Sequence, residues 1–332
     1  MLDNATKSVL DEITKAGLEV DNSLVKIAGT RNYFSSVIEI ANGYIAHCTD
    51  GVGSKVKHLI EHKMFDVIGK DCFAMCYNDI LCVGANSMSF QDHITSSERD
   101  SHMIPDVVRG ITEYCAEGYT LLTGGETEIL KSTDFHISGS LTGIIAKDNL
   151  IDGTGVKPRD VIIGLPSSGI HSNGWTAISE RMPELITPEN LIATKLYNNE
   201  MLRLFTRIVS PSAVINITGG GFRNLERIPQ NFQYDITLDN TPDIFKDLCC
   251  EFSHQELYTT FNMGIGLMVV VRLKDVGVAL DAMEGSVVIG QVLENSRPNV
   301  VVNGQEIFFG DSEPYVFDKK EETKLGFSLM DN

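Results

Sequence analysis

The residues with the plainest chemical capability form one run, Thr49-Asp50-Gly51-Val52-Gly53-Ser54-Lys55, directly after the apolar stretch 44–48. Its two glycines let the backbone turn with φ > 0 and let a bulky polyanion approach the N–H groups closely. Asp50 is a hard oxygen ligand suited to Mg²⁺, and Lys55 meets phosphate oxygens as a point charge. The run is not a P-loop, which needs a four-residue spacer, and glycine turns beside charges also occur in purely structural loops. Two further carboxylates widen the pattern. Asp71, Met75 and Asp79 fall at i, i+4 and i+8 of an apolar helical stretch, with Asn78 alongside, and acids on such a helix are costly unless paired or bound to a metal. The structural alternatives are capping by Asp71 and a solvated edge for Asp79. Gly124-Gly125-Glu126-Thr127 again sets two glycines beside an acid, after the short apolar run 120–123. Asp50, Asp79 and Glu126 together match what a Mg²⁺-nucleotide site requires, because the ion bridges phosphate oxygens through several oxygen ligands.

The second half carries a different kind of loop, Ser167-Ser168-Gly169-Ile170-His171-Ser172-Asn173-Gly174. A histidine set among hydroxyls and glycines is a candidate for proton transfer; it can equally brace the loop by hydrogen bonds to Ser168 or Ser172. Thr218-Gly219-Gly220-Gly221-Phe222 exposes a run of backbone N–H groups that suits a phosphate, or makes a tight structural turn. A third glycine stretch spans 259–266, with Asn262 inside it.

These groups need elements that deliver them to one place. Residues 43–49 read as a strand and 54–62 as the helix after it. Asp50 then sits at a strand's carboxyl end beside a helix N-terminus, where dipole and free N–H groups favour anions. A helix to about residue 83, a strand over 85–95, a helix over 105–115, a strand over 120–123 ending at Gly124, and a strand over 137–147 follow. Val9, Leu10 and Ile13 predict a short amphipathic helix over 3–15. Residues 148–158, rich in Gly, Asp and Pro, mark a boundary between an N-terminal domain (1–150) and a C-terminal domain (155–332) that restarts with a strand over 161–165.

Composition narrows the classes. A chain of 332 residues with 42% hydrophobic and 22% charged residues can build two cores. Its net charge of −18 argues against non-specific binding to nucleic acid or anionic membranes, so any phosphate site must be local. Seven cysteines, at 48, 72, 76, 82, 115, 249 and 250, form no C-x-x-C pair, favouring free thiols in a reducing compartment over disulfides or zinc. No apolar segment follows the N-terminus and 264–271 is too short to span a bilayer, so a soluble cytoplasmic protein is expected.

In order, the stretches 49–55, 68–85 (with Asp-x4-Gly-Ala from Asp79), 124–127, 167–174, 218–222 and 256–266 resemble the phosphoribosylformylglycinamidine cyclo-ligase family, the aminoimidazole ribonucleotide (AIR) synthetases. The resemblance implies two α/β domains with mixed sheets, in a homodimer paired through the N-terminal sheets. It implies ATP- and Mg²⁺-dependent closure of formylglycinamidine ribonucleotide (FGAM) to AIR in purine biosynthesis. There the formyl oxygen takes the γ-phosphoryl group, the amidine nitrogen attacks, and phosphate leaves. On the matching positions, Asp50, Gly51, Val52, Gly53, Ser54, Lys55, Asn78, Gly124, Gly125 and Glu126 would hold the nucleotide, with Asp50, Asp79 and Glu126 on the metal. Ser168, Ser172, Asn173, Thr218, Gly219, Gly220, Gly221 and Asn262 would hold the substrate, and His171, Lys55 and Asp79 would serve the chemistry.

The chain departs from the family pattern in places. Where the family has a Gly-Gly-Phe-Gly-Gly lid, this chain reads Tyr33-Phe34-Ser35-Ser36; Asn86-Ser87 replaces an expected proline, and Asn216 stands where a histidine is common. Residues 128–131 read Glu-Ile-Leu-Lys, and the region 175–196, broken by Pro183 and Pro188, is short. A lid without glycine predicts weaker closure over the triphosphate. Thiamine-phosphate kinases, selenophosphate synthetases and hydrogenase-maturation dehydratases are rival readings in the same superfamily. Against the dehydratases stands the absence of a terminal cysteine, and against the selenophosphate synthetases the absence of any cysteine before Cys48. A nucleotide-binding protein without turnover is a rival of another class.

Overall fold

The computed structural model describes residues 26–27, 33–207, 209–295 and 299–307. The helix expected over 3–15 lies outside them. The first sheet holds β1 (Lys26–Ile27), β2 (Ser36–Ile40), β3 (Gly43–Gly51), β4 (Asn86–Ser97), β5 (Leu121–Leu130) and β6 (His136–Ala146) in the order β1-β2-β3-β6-β4-β5. Every pairing is antiparallel except β4 with β5. A parallel pair needs a long crossover, and the chain supplies it through a helix. The helices of this half are α1 (Lys55–Glu61), α2 (Phe65–Cys82) and that crossover, α3 (Ile104–Glu117).

α2 carries apolar side chains all round and is buried accordingly, with Ile68, Cys72, Phe73, Cys76 and Ile80 fully enclosed. It crosses α3 backbone to backbone: a Cβ at Gly69 would overlap Val107 O, and one at Gly110 would overlap Asp66 O. On β6, buried residues alternate with more exposed ones, so one face of the sheet is packed under α2 and the other is open. β5 is the edge strand and runs on through residue 130. Gly124 to Thr127 therefore lie inside a strand, where the sequence predicted its end.

The second sheet holds β7 (Val161–Pro166), β8 (Ala213–Asn216), β9 (Phe232–Ile236), β10 (Ile265–Val271), β11 (Val287–Glu294), β12 (Asn299–Val302) and β13 (Gln305–Ile307), ordered β13-β12-β9-β11-β7-β10-β8. Only β9 with β12 is parallel. β10 is buried along its whole length, which explains its unbroken apolar run with no polar alternation. Its helices are α4 (Trp175–Arg181), α5 (Asn198–Thr206), α6 (Asp243–Leu248), α7 (His254–Thr260) and α8 (Val276–Ala282). Ser253 caps α7 in a reciprocal capping box with Glu256. The short region between α4 and α5 is one 3-10 turn, Pro183–Leu185, followed by an irregular segment that crosses onto α2.

Candidate active site

The loop after β3 and the loop between β7 and α4 face each other across a groove of about 540 Å³. One wall is Asp50, Gly51, Val52, Gly53, Ser54 and Met75; the other is Ser172, Asn173, Gly174, Thr176, Thr218 and Gly219. Thr176 Oγ1 donates to Ser54 Oγ at 2.9 Å, tying the walls at one end. Gly53 has φ +70°, and among the described residues a Cβ there would meet nothing within 4 Å, so its backbone borders open space.

One carboxylate, Asp50, lines the first wall, and a second, Asp79, lies buried within reach of its charge. Asp50 Oδ1 accepts the Gly51 N–H at 2.7 Å. Burial raises its pKa, against the lowering effects of that hydrogen bond and of the Arg227 charge. Asp79 lies where the i, i+4, i+8 spacing placed it, beyond Met75. Its Oδ1 accepts Asn216 Nδ2 at 2.8 Å, and Cys48 Sγ lies 3.8 Å from its Oδ2. Burial is the largest cause lifting its pKa to about 7; the Asn216 hydrogen bond opposes it and the nearby Asp50 charge adds to it.

Glu126 does not join them. The register aligns Asp50 with Gly139, Gly139 with Asp92, and Asp92 with Gly125. It aligns Glu126 with His93 and His93 with Ser138, one residue out of step, so Glu126 points to the open face of the sheet. Glu126 is exposed, and its Oε1 accepts the Thr127 N–H. Gly125 has its own reason for being glycine: a Cβ there would lie 2.6 Å from Asp92 Oδ1. Gly124 and Gly125 line the edge strand and not the groove. Among the described residues no three His, Cys, Asp or Glu side chains gather into a metal-holding group.

Lys55 turns away from the groove as well. It is fully buried, with Nζ 2.7 Å from Asp71 Oδ2 and donating to Ile192 O at 2.6 Å. Asn78 is spent on the same crossing segment, donating to Lys195 O at 2.9 Å and accepting the Tyr197 N–H at 3.4 Å. Both residues were expected at the nucleotide; their polar atoms are instead used on a partner segment more than a hundred residues away.

His171 has φ +65° and is 4% exposed. Its Nε2 accepts the Ser168 N–H at 3.1 Å, and its carbonyl accepts Trp175 Nε1–H at 2.7 Å. Burial first, then the charges of Lys55 and Lys195, hold its pKa down to about 3. The ring is therefore neutral at physiological pH and already engaged in bracing its loop. Ser168 Oγ donates to Ala193 O at 2.7 Å, and Ser172 Oγ meets Thr194 Oγ1 at 3.0 Å. Asn262 is spent on the same loop: Nδ2 donates to Gly169 O and Ile170 O, while Oδ1 accepts Ser167 Oγ–H and the Gly264 N–H. Gly220 (φ +93°) and Gly221 (φ +56°) make the left-handed turn after Gly219 that opens the 3-10 turn Gly221–Arg227.

Two residues near the groove escaped the sequence reading. Arg227 sits 4.9 Å from the Phe34 ring centroid, donates to Tyr33 O at 2.7 Å, and acts electrostatically on both Asp50 and Asp79. Asp92, beside Gly125, is part-buried and has its pKa raised by burial. The one signal for Asp92 was the glycine pair opposite it, which marks close approach by a neighbour.

Comparison with known proteins adds to this geometry. Residues 35–145 match the family model of the AIR synthase related protein N-terminal domain, and residues 157–303 match its C-terminal domain. A phosphoribosylformylglycinamidine cyclo-ligase of Finegoldia magna is 34% identical over 301 residues, covering 83% of this chain and 87% of the relative. One of Clostridium perfringens is 36% identical over 265 residues, covering 73% and 79%. Among solved structures, AaThiL complexed with AMPPCP and TMP superposes with a TM-score of 0.65 at 14% identity, covering 91% of this chain and 96% of that one. The hydrogenase maturation protein HypE in complex with ATP superposes with a TM-score of 0.65 at 17% identity, covering 94% and 97%. At such identities these structures speak for the fold alone.

Proposed function

The chain belongs to the AIR synthase related family, and from that membership we propose that it is a phosphoribosylformylglycinamidine cyclo-ligase, closing FGAM to AIR with ATP. The observation that carries this reading is identity of 34% along 87% of a relative of that name.

Features of the groove support this reading. Gly53 borders open space, as close approach by a phosphate requires, and the loop runs into the N-terminus of α1. Asp50 and Asp79 are held by hydrogen bonds and resist ionisation through burial, so a divalent cation between them would offset the cost of their charges. We assign Mg²⁺ to these two, with Glu126 on the other face of the sheet in the same chain. Mg-ATP supplies the phosphoryl group that turns the formyl oxygen into a leaving group. The chain's part is to orient the two reactants: Ser172, Asn173, Thr218 and Gly219 on the far wall would hold FGAM, and the paired walls would exclude water.

We further propose a homodimer through the open face of the first sheet, where Leu121, Leu130 and Ile144 are 70%, 46% and 43% exposed. No described helix is long and apolar enough to cross a membrane, and all seven cysteines are free, which supports a cytoplasmic location. A single-turnover assay with FGAM and Mg-ATP, followed for both AIR and phosphate, tests the activity. ATP binding with no AIR formed would replace the ligase with a nucleotide-binding protein.

A further inference from the structure

Lys55 and Asp71 form an ion pair with no exposed surface on either side chain. Burying two charges is expensive, and a well-packed apolar pair is often as stable, so such a pair is more telling about geometry than about stability. Here both partners reach the same distant segment. Lys55 donates to Ile192 O at 2.6 Å, and Asp71 Oδ1 accepts the Thr194 N–H at 2.7 Å. The same segment is also held by the 167–174 loop, which carries Ser172, Asn173 and Gly174 of the groove's second wall, through Ser168 Oγ on Ala193 O and Ser172 Oγ on Thr194 Oγ1. Residues 192–194 thus link Lys55 and Asp71 to the 167–174 loop. Lys55 itself is the first residue of α1 and follows Ser54 of the first wall.

We propose that Lys55 and Asp71 are positioning residues that set the separation of the two groove walls by fixing residues 192–194. Lys55 then acts through Ile192 and not as a phosphate ligand. The turnover arm of the test rests on the cyclo-ligase reading; the other two arms do not.

The decisive variant is Lys55→Met, which keeps the stem and removes the ammonium. Three results are expected. Turnover to AIR falls on the order of 10- to 100-fold, because small misplacement of reacting groups is that costly. ATP affinity by calorimetry stays within about twofold, or about 0.4 kcal/mol. Amide exchange quickens in 167–174 and 192–197 while β7 and β10 keep their protection. Asp71→Asn should do less, since it keeps the acceptor for Thr194 and leaves Lys55 free to donate to Ile192. Loss of ATP affinity by about tenfold or more would make Lys55 a phosphate ligand and overturn the proposal. So would exchange that rises uniformly, or no change in any readout. If Lys55→Met does not fold, Ser168→Ala decides: it should loosen 167–174 and leave 192–197 protected, and unaltered exchange in 167–174 would sink the relay. Wild-type protein that fails to convert FGAM would refute the ligase reading, while exchange and ATP affinity still judge this one.

Discussion

Asn216 Nδ2 donates to Asp79 Oδ1 at 2.8 Å, joining the end of β8 to the buried helix α2 and so one sheet's layer to the other's. The bond holds the carboxylate in place without neutralising it, and burial raises its pKa to about 7.

A carboxyl group with that pKa keeps its proton in the folded state up to about pH 7, while the unfolded chain releases it near 3.9. Between those values the folded state binds the extra proton, so Asp79 costs stability progressively as pH rises through the window. Metal-free Asp79→Asn should melt above the wild type, by a margin that widens from pH 4 to 7, at roughly 2–4 °C for each kcal/mol recovered. The same variant should lose Mg²⁺-dependent turnover with its fold intact. Unchanged Mg²⁺ dependence would remove Asp79 from the site, and parallel melting curves across the pH range would show that its charge is not strained.

The two glycines of the 218–222 turn should respond differently. A Cβ at Gly221 would overlap Tyr258 O, whereas one at Gly220 would meet nothing nearer than 3.9 Å. Gly220→Ala carries only the left-handed backbone cost, about 1–2 kcal/mol; Gly221→Ala adds a backbone clash and should lose more stability in urea titrations. If the turn cradles the substrate phosphate, Gly220→Ala raises the KM for FGAM more than that for ATP. The reverse order would move the turn to the nucleotide.

His171 should not appear in the pH–rate profile. With its pKa held to about 3 and Nε2 occupied by the Ser168 N–H, it stays in one neutral form near neutrality and cannot take up a second proton there. His171→Gln should keep turnover within about threefold and leave the profile between pH 5 and 9 unshifted, since no general-acid–base step is removed. A loss of about 100-fold or more in kcat at constant KM would reinstate proton transfer.

The stretch in the place of the glycine-rich lid is anchored. Tyr33 is buried, and its OH both donates to Val214 O at 2.6 Å and accepts the Val214 N–H at 3.0 Å. A wall held this way cannot close like a glycine flap, so phosphate release should exceed AIR formation when FGAM is scarce. Tyr33→Phe leaves two buried backbone groups on Val214 unpaired, at a cost of about 1–3 kcal/mol, and should widen the excess. Equal yields of AIR and phosphate at every FGAM level would show that closure is intact.

Much of this protein was legible in its sequence because the signals are local. Apolar periodicity and glycine breaks marked most of the elements, and the ordered glycine-acid stretches pointed to the family. Spacing along one helix put Asp79 beyond Met75, because a helix face depends only on sequence separation. Asp50, Gly53, Ser172, Asn173, Thr218 and Gly219 meet in one groove because loops at strand ends are carried there by the layered fold.

What only the tertiary structure decided is which way side chains point and what already occupies them. Glu126 looked equivalent to Asp50 as an acid beside two glycines, but a register shift in the β4–β5 pairing comes just before it, and side chains alternate faces with a period of two. That register turns Glu126 to the open face. Lys55 read as a phosphate ligand because it follows a glycine loop, yet its ammonium is neutralised by Asp71 and bound to Ile192, 137 residues along the chain. His171 read as a candidate base from its polar neighbours, but the burial that holds it neutral comes from the packed fold around it. Types and spacings are properties of the chain; solvation, register and long-range partners exist only once it has folded.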